Sequence, residues 1–157
     1  MGIYQIAIDG PSGAGKSTVA RMLAGRLGIA YLDTGAMYRA CALHMLKKNI
    51  SLEDEERVAE ELPNIAMSVR FSDGEQKMFL SGEDVSALIR EHHMSKAASD
   101  ISKLPCVREK MVSLQRELAG RQSCVLDGRD ICLHVLPEAR YKFFLTASAS
   151  ERARRRC

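Results

Sequence analysis

Gly10-Pro11-Ser12-Gly13-Ala14-Gly15-Lys16-Ser17-Thr18 is the stretch on which the reading of this chain turns. Gly10, Gly15, Lys16 and Ser17 satisfy the spacing G-x-x-x-x-G-K-[ST] of a phosphate-binding P-loop. A backbone that curls around a phosphate has to turn successive N–H groups toward it, which demands close approach and unusual dihedral angles. Gly10, Gly13 and Gly15 permit both. A helix starting at the end of the loop adds the positive end of its dipole. In this motif Lys16 is the point charge that reaches the outer phosphates, and the Ser17 hydroxyl is the Mg2+ ligand.

The flanks supply the context the motif needs. Ile3-Tyr4-Gln5-Ile6-Ala7-Ile8 is a short, β-prone apolar run that stops at Asp9-Gly10. After the loop, Val19, Leu23 and Leu27 recur at helical spacing with Ala20 and Ala24 beside them, and Gly28 is a natural stop. The pattern predicts strand, glycine loop and helix. A flexible Gly/Ser turn could match the motif by chance, but would not bring this context. A dinucleotide fingerprint could start at Gly13-Ala14-Gly15 and draw on Asp33; Thr18, however, stands where its third glycine belongs, and Lys16 would have no task. The loop is therefore read as one for a nucleoside triphosphate.

The bulk properties agree with a single domain spanning residues 1–157, since 46% hydrophobic residues suffice for a core. A net charge of +3 does not single out nucleic acid as a partner. Five cysteines form no C-x-x-C pair and, with four histidines, no metal-ligand spacing, which favours reduced thiols. No apolar run reaches membrane-spanning length, and the N-terminus leads straight into a strand. The expectation is a cytoplasmic monomer without membrane or nucleic-acid partners.

Further strands are expected at residues 29–32, 123–127 and 141–145, each apolar and β-prone. Thr34 is a natural N-cap for a helix carrying Tyr38, Ala42, Met45 and Leu46 on one side. Ser51 and Asp54 open an acidic helix that Pro63 interrupts, its charge run reading as a solvated face. Residues 66–81 alternate around Asp73-Gly74 and predict a β-hairpin. Helical segments follow from Asp84 to about Ala119, broken near Pro105. Ser148 and Glu151 form a capping box ahead of Arg152, Arg154, Arg155 and Arg156. Strands alternating with helices imply an α/β fold with a parallel sheet and ligands at the carboxyl ends of its strands. The P-loop, Asp33-Thr34 and Asp127–Asp130 all sit at such ends. The hairpin stands outside the alternation and reads as an insert.

Six blocks occur in order: residues 6–18, Leu32–Arg39, Gly82–Val85 with Ile89-Arg90, Ala97–Ser99, Pro105 with Val107–Glu109, and Asp127–Asp130. Together they closely resemble bacterial cytidylate kinases, a family of P-loop nucleoside monophosphate kinases, and the likeness runs from residue 3 to about 156. The resemblance implies a three-layer P-loop kinase fold. In it, an insert near residues 62–104 binds the monophosphate and a lid begins at residues 152–157. It implies the reaction ATP + CMP (or dCMP) ⇌ ADP + CDP (or dCDP) with Mg2+. The P-loop residues Gly10 to Thr18 would hold ATP, and Lys16, Arg39 and Arg129 would be catalytic. Thr34, Tyr38, Arg39, Ser99, Arg108, Arg129 and Asp130 would bind CMP. Ser17 would hold Mg2+, with Asp127 as a second candidate ligand.

Each assignment has a plainer counterpart. Asp127 could cap a turn, Arg129 and Asp130 could form a structural ion pair, and Tyr38 could be core. Ser99 would ordinarily be a surface or capping residue, and the basic end of the chain could serve nucleic acid. The chain also departs from the family pattern. Family members continue past the position of Cys157 with the rest of the lid, a final strand and a final helix. The run Ile131-Cys132-Leu133-His134-Val135-Leu136 replaces a more compact one. Against the kinase reading stand a nucleotide-binding module without turnover, another small-molecule P-loop kinase, and a nucleic-acid-dependent ATPase.

Overall fold

The alternation of short apolar strands with helices is realised in the computed structural model, which describes residues 2–72 and 75–156. In chain order the elements are β1 (Gln5–Asp9), α1 (Lys16–Leu27), β2 (Ala30–Asp33), α2 (Thr34–Lys47), α3 (Glu55–Glu61), β3 (Met67–Ser72) and β4 (Glu75–Leu80). Then follow β5 (Glu83–Asp84), α4 (His92–Ile101), α5 (Pro105–Arg121), β6 (Cys124–Gly128), β7 (Tyr141–Phe144) and α6 (Ala149–Arg156). The chain forms two compact units. One comprises the residues up to Thr34 and from Gln115 onward, the other Gly35–Leu114.

In the first unit four strands make a parallel sheet in the order β2-β6-β1-β7. Register puts Ile6 beside Val125 and Val125 beside Tyr31, so these side chains share one face. They form a core with Ile8 and with Ala20 and Ala24 of α1. Ala7, Leu126 and Leu32 fall on the opposite face by strand alternation and are equally buried. A sheet covered on both faces is the layered α/β architecture that the sequence predicts. β7 is the edge strand, with Tyr141 43%, Phe143 54% and Phe144 72% exposed.

Of the apolar residues at helical spacing in α1, the small ones make the contact with the sheet. Val19 and Leu27 are exposed and Leu23 is only partly buried, whereas Ala20 and Ala24 are buried against the sheet. Small side chains let the helix lie close to the strands, so the alanines and not the larger residues mark the contact. Gly28 ends α1 in the left-handed conformation, as expected. Thr34, expected to stand just before α2, is its first residue. Its buried hydroxyl donates to the Asp127 carbonyl at 2.9 Å, tying the end of β2 to β6.

The second unit buries Met37, Met45, Val58, Met78, Met94, Ile101 and Met111 in its core. β3 and β4 pair antiparallel, Ser72 opposite Glu75, giving the expected hairpin; the Asp73-Gly74 turn, like Cys157, lies outside the described residues. Leu46 is exposed, contrary to the face expected for α2. Asp54 caps α3 by accepting from the Arg57 amide, and Glu61 at its end bonds buried His44 at 2.8 Å. One residue of the acidic run is thus a structural partner of α2.

The C-terminal end of β6 has no slack. A Cβ built on Gly128 would lie 2.8 Å from Thr34 Oγ1 and 3.1 Å from Ile131 Cδ1. Gly128→Ala should therefore cost about 1–3 kcal/mol, while Gly25→Ala, inside α1 with open space around it, should add about 0.5–1 kcal/mol; urea unfolding of both variants checks the contrast. Beside Gly128, the Tyr31 hydroxyl donates to Asp127 Oδ1 at 2.7 Å, within buried surroundings. Burial pushes the Asp127 carboxyl above its usual range, and the Tyr31 bond opposes the shift. A carboxyl with a raised folded-state pKa keeps a proton that the unfolded chain has already released. Its contribution to stability is therefore present at low pH and is lost as the pH rises from about 4 through the folded-state value. Asp127→Asn should gain stability relative to the unmodified chain over that rise; equal pH profiles for the two would contradict the burial argument.

Candidate active site

Two of the three expected strand-end elements meet in the first unit beside the loop that follows β1. Gly13 and Gly15 take positive φ, 82° and 92°, which L side chains rarely adopt. Ala14 N–H closes a turn onto the Pro11 carbonyl at 3.2 Å, and Val19 N–H opens the α1 ladder on Gly15 at 3.0 Å. The N-cap of α1 is Gly15, which makes no side-chain bond, and the first turn carries no acidic residue. Most helices answer their first N–H groups with a capping side chain or a nearby carboxylate. This one leaves them to an anion from outside the helix.

Lys16 stands at that end of the helix. Its ammonium donates to the Pro11 carbonyl at 3.1 Å. Burial lowers its pKa, the Asp127 and Asp9 charges oppose that, and Arg129 adds to it. The same causes place Asp127, Asp9 and Arg129 within electrostatic reach of Lys16. Ser17 and Thr18 are exposed on the first turn of α1. Oxygen donors of this kind, a hydroxyl with a carboxylate nearby, suit Mg2+, which binds through few protein ligands and substrate phosphates. Among the described residues no group of three or more His, Cys, Asp or Glu could cage a metal. One Asp127 oxygen is already engaged by Tyr31.

The basic end of the chain touches this loop. Ser148 Oγ accepts from the Glu151 amide at 3.2 Å, as the capping box predicts, and α6 follows. Arg155 then donates to the Gly13 carbonyl at 3.1 Å, and a Cβ on Gly13 would sit 3.1 Å from the Arg152 carbonyl. A Cβ on Gly10 would run into the Leu145 carbonyl, so Gly10 is demanded by the chain leaving β7 as well as by any phosphate.

The segment after β6 carries Arg129 and Asp130, both exposed. Asp130 is left-handed, φ 59°, and its carbonyl accepts from His134 at 2.9 Å and Val135 at 3.3 Å, opening a π-helical turn at Ile131–Val135. Asp9, missed in the sequence as a site residue, holds this turn. Its carboxylate accepts from the Ile131 and Cys132 amides, each at 2.8 Å. The available signal was its place, an acid closing an apolar strand directly ahead of a glycine loop. The bond of Tyr31 to Asp127 and that of Arg155 to Gly13 left no local sequence signal, because the partners lie 96 and 142 residues away.

In the second unit, Tyr38 and Arg39 lie half-buried on α2, Ser99 is exposed on α4 and Arg108 is exposed on α5. Burial raises the Tyr38 phenol pKa, and the Arg108 charge works against it, so Tyr38 and Arg108 are electrostatic neighbours. Ser99 accepts at its carbonyl from the Ser102 hydroxyl. One helix turn from Tyr38, burial pushes the Cys41 thiol to about 12, an inert thiol by chemistry.

Among the described residues no helix is long and apolar enough to cross a membrane. A family model described as cytidylate kinase matches residues 6–157. The cytidylate kinase of Caldicellulosiruptor bescii is 52% identical over 151 residues, covering 96% of this chain and 67% of that protein. That of Caldanaerobacter subterraneus subsp. tengcongensis is 57% identical over 152 residues, covering 97% and 66%, and that of Lactobacillus johnsonii is 47% identical over 154 residues, covering 98% and 67%. The chain thus spans about two thirds of the length of the curated relatives it matches. With its glycine loop, uncapped helix and parallel sheet, it belongs to the cytidylate kinase family.

Proposed function

We propose that this chain carries the transfer of a phosphoryl group from ATP to CMP or dCMP, giving ADP and CDP or dCDP. The observation that carries the reading is the uncapped N-terminus of α1 behind two left-handed glycines, with Lys16 alongside. Those amides would hold the donor phosphates, and Lys16 would exchange its Pro11 carbonyl for a phosphate oxygen. Mg2+, held by Ser17 with Asp127 as the second candidate, would supply positive charge to the phosphate oxygens during transfer. Such transfer rests on positioning and charge stabilisation, so it needs no general base of unusual pKa.

Acceptor recognition follows from the chemistry of the side chains that the family resemblance assigns. Cytosine offers an N4 amino donor next to N3 and O2 acceptors. A carboxylate, Asp130, would accept from N4; Arg108 and the Ser99 hydroxyl would donate to the acceptors. Arg39 and Arg129 would grip the acceptor phosphate and neutralise charge as it develops. Tyr38 would line the site, and Thr34, whose hydroxyl is engaged by Asp127, would shape it from the end of β2. Residues 62–104 would form the monophosphate-binding insert, and residues 152–157 the start of a lid whose Arg155 exchanges the Gly13 carbonyl for phosphate. The enzyme would work as a cytoplasmic monomer without nucleic acid.

A coupled ADP-release assay with a panel of monophosphates tests this. CMP and dCMP should be preferred over AMP and GMP. Lys16→Ala should lower turnover by about 100-fold or more while far-UV circular dichroism stays unchanged. Asp130→Ala should chiefly erode the preference for CMP over UMP, because uracil presents a carbonyl where cytosine presents its amino group. An unchanged CMP/UMP ratio in that variant would remove Asp130 from the base-reading set.

A further inference from the structure

We propose that Asp9 is a positioning residue for the acceptor, acting through the turn that carries Arg129 and Asp130. The inference rests on the acceptor reading of those two residues. Asp9 closes β1 and is 8% exposed. Its Oδ1 accepts from Ile131 N–H and its Oδ2 from Cys132 N–H, both at 2.8 Å. Its carbonyl accepts from Leu145 N–H at 2.8 Å. Gly10, the first residue of the P-loop, comes next in the chain. One residue therefore joins the entry to the donor-phosphate loop, the exit of β7 and the acceptor-side turn.

The turn needs such support. Asp130, a non-glycine residue, takes the left-handed conformation immediately before a wide π-helical turn. Ladder bonds of that turn begin only at His134, so the Ile131 and Cys132 amides are left for a partner outside it. A carboxylate accepting two amides is charge-assisted and geometrically strict. It fixes the direction in which Asp130 and Arg129 project while leaving both exposed. Asparagine cannot reproduce this, because its NH2 group would face an N–H donor.

The test compares the unmodified chain with Asp9→Asn, Asp130→Ala and the double variant. Hydrogen exchange follows the Ile131 and Cys132 amides, and calorimetry follows CMP, UMP and Mg·ATP. In Asp9→Asn both amides should exchange faster, and CMP affinity should fall about tenfold, with Mg·ATP affinity falling less than about threefold. The CMP/UMP preference should shrink, and the CMP losses of Asp9→Asn and Asp130→Ala should be less than additive. Unchanged exchange at Ile131 and Cys132 would overturn the brace. Equal losses of CMP and Mg·ATP would reduce Asp9 to a purely structural residue and overturn the positioning role. If Asp130→Ala leaves CMP and UMP binding as they were, the acceptor reading itself fails, and the exchange data alone then judge the brace.

Discussion

Backbone amides at the start of α1 have to be answered by something, and the helix itself supplies neither a capping side chain nor an acidic residue in its first turn. Gly15 has no side chain to cap the helix, and no carboxylate occupies its first turn. Left-handed Gly13 and Gly15 aim the preceding peptide units in ways a larger residue would resist. Lys16 is left to satisfy itself on the Pro11 carbonyl. The remainder of the first unit holds the loop and these amides in place. The sheet is buried on both faces, α1 lies on it through alanines, and Asp9 and Leu145 fix the loop at its entry.

Rigidity at the ends of β2, β6 and β1 comes from cross-strand bonds made by side chains. Thr34 spans to the Asp127 carbonyl, Tyr31 to the Asp127 carboxyl, and Asp9 to the turn beyond β6. Gly128 is packed so closely between Thr34 and Ile131 that a methyl group does not fit. Burial there shifts the carboxyl of Asp127 and the ammonium of Lys16 toward their neutral forms, and the attraction between the two opposes both shifts. Phosphoryl transfer benefits from such preorganised charge, since nothing then has to reorganise as the phosphate moves.

Much of this was legible in the sequence for local reasons. The glycine spacing, the apolar runs and the capping box at Ser148 act over a few residues, so the P-loop, the four strands of the parallel sheet, the hairpin and α6 could be placed, whereas β5 lies where a helix was expected to begin. What escaped depends on distance. Val19 and Leu27 obey helical spacing yet face outward, because close packing on a sheet selects Ala20 and Ala24. Thr34 looks like a cap, but its partner is Asp127, 93 residues on. Asp9 looks like the end of a strand, and its partners are 122 and 123 residues away. The roles of Ser99 and Arg108 come from family likeness, since an exposed serine or arginine on a helix has no physical signature of its own.

Amide chemical-shift mapping on the isotopically labelled chain tests the central claim most directly. Addition of Mg·ATP should move the amides of Gly13 to Thr18 first and furthest, and subsequent CMP should move a separate set containing Arg39, Ser99, Arg108 and Asp130. Shifts from Mg·ATP that spare the Gly13–Thr18 amides, or CMP shifts that miss that second set, would contradict the account.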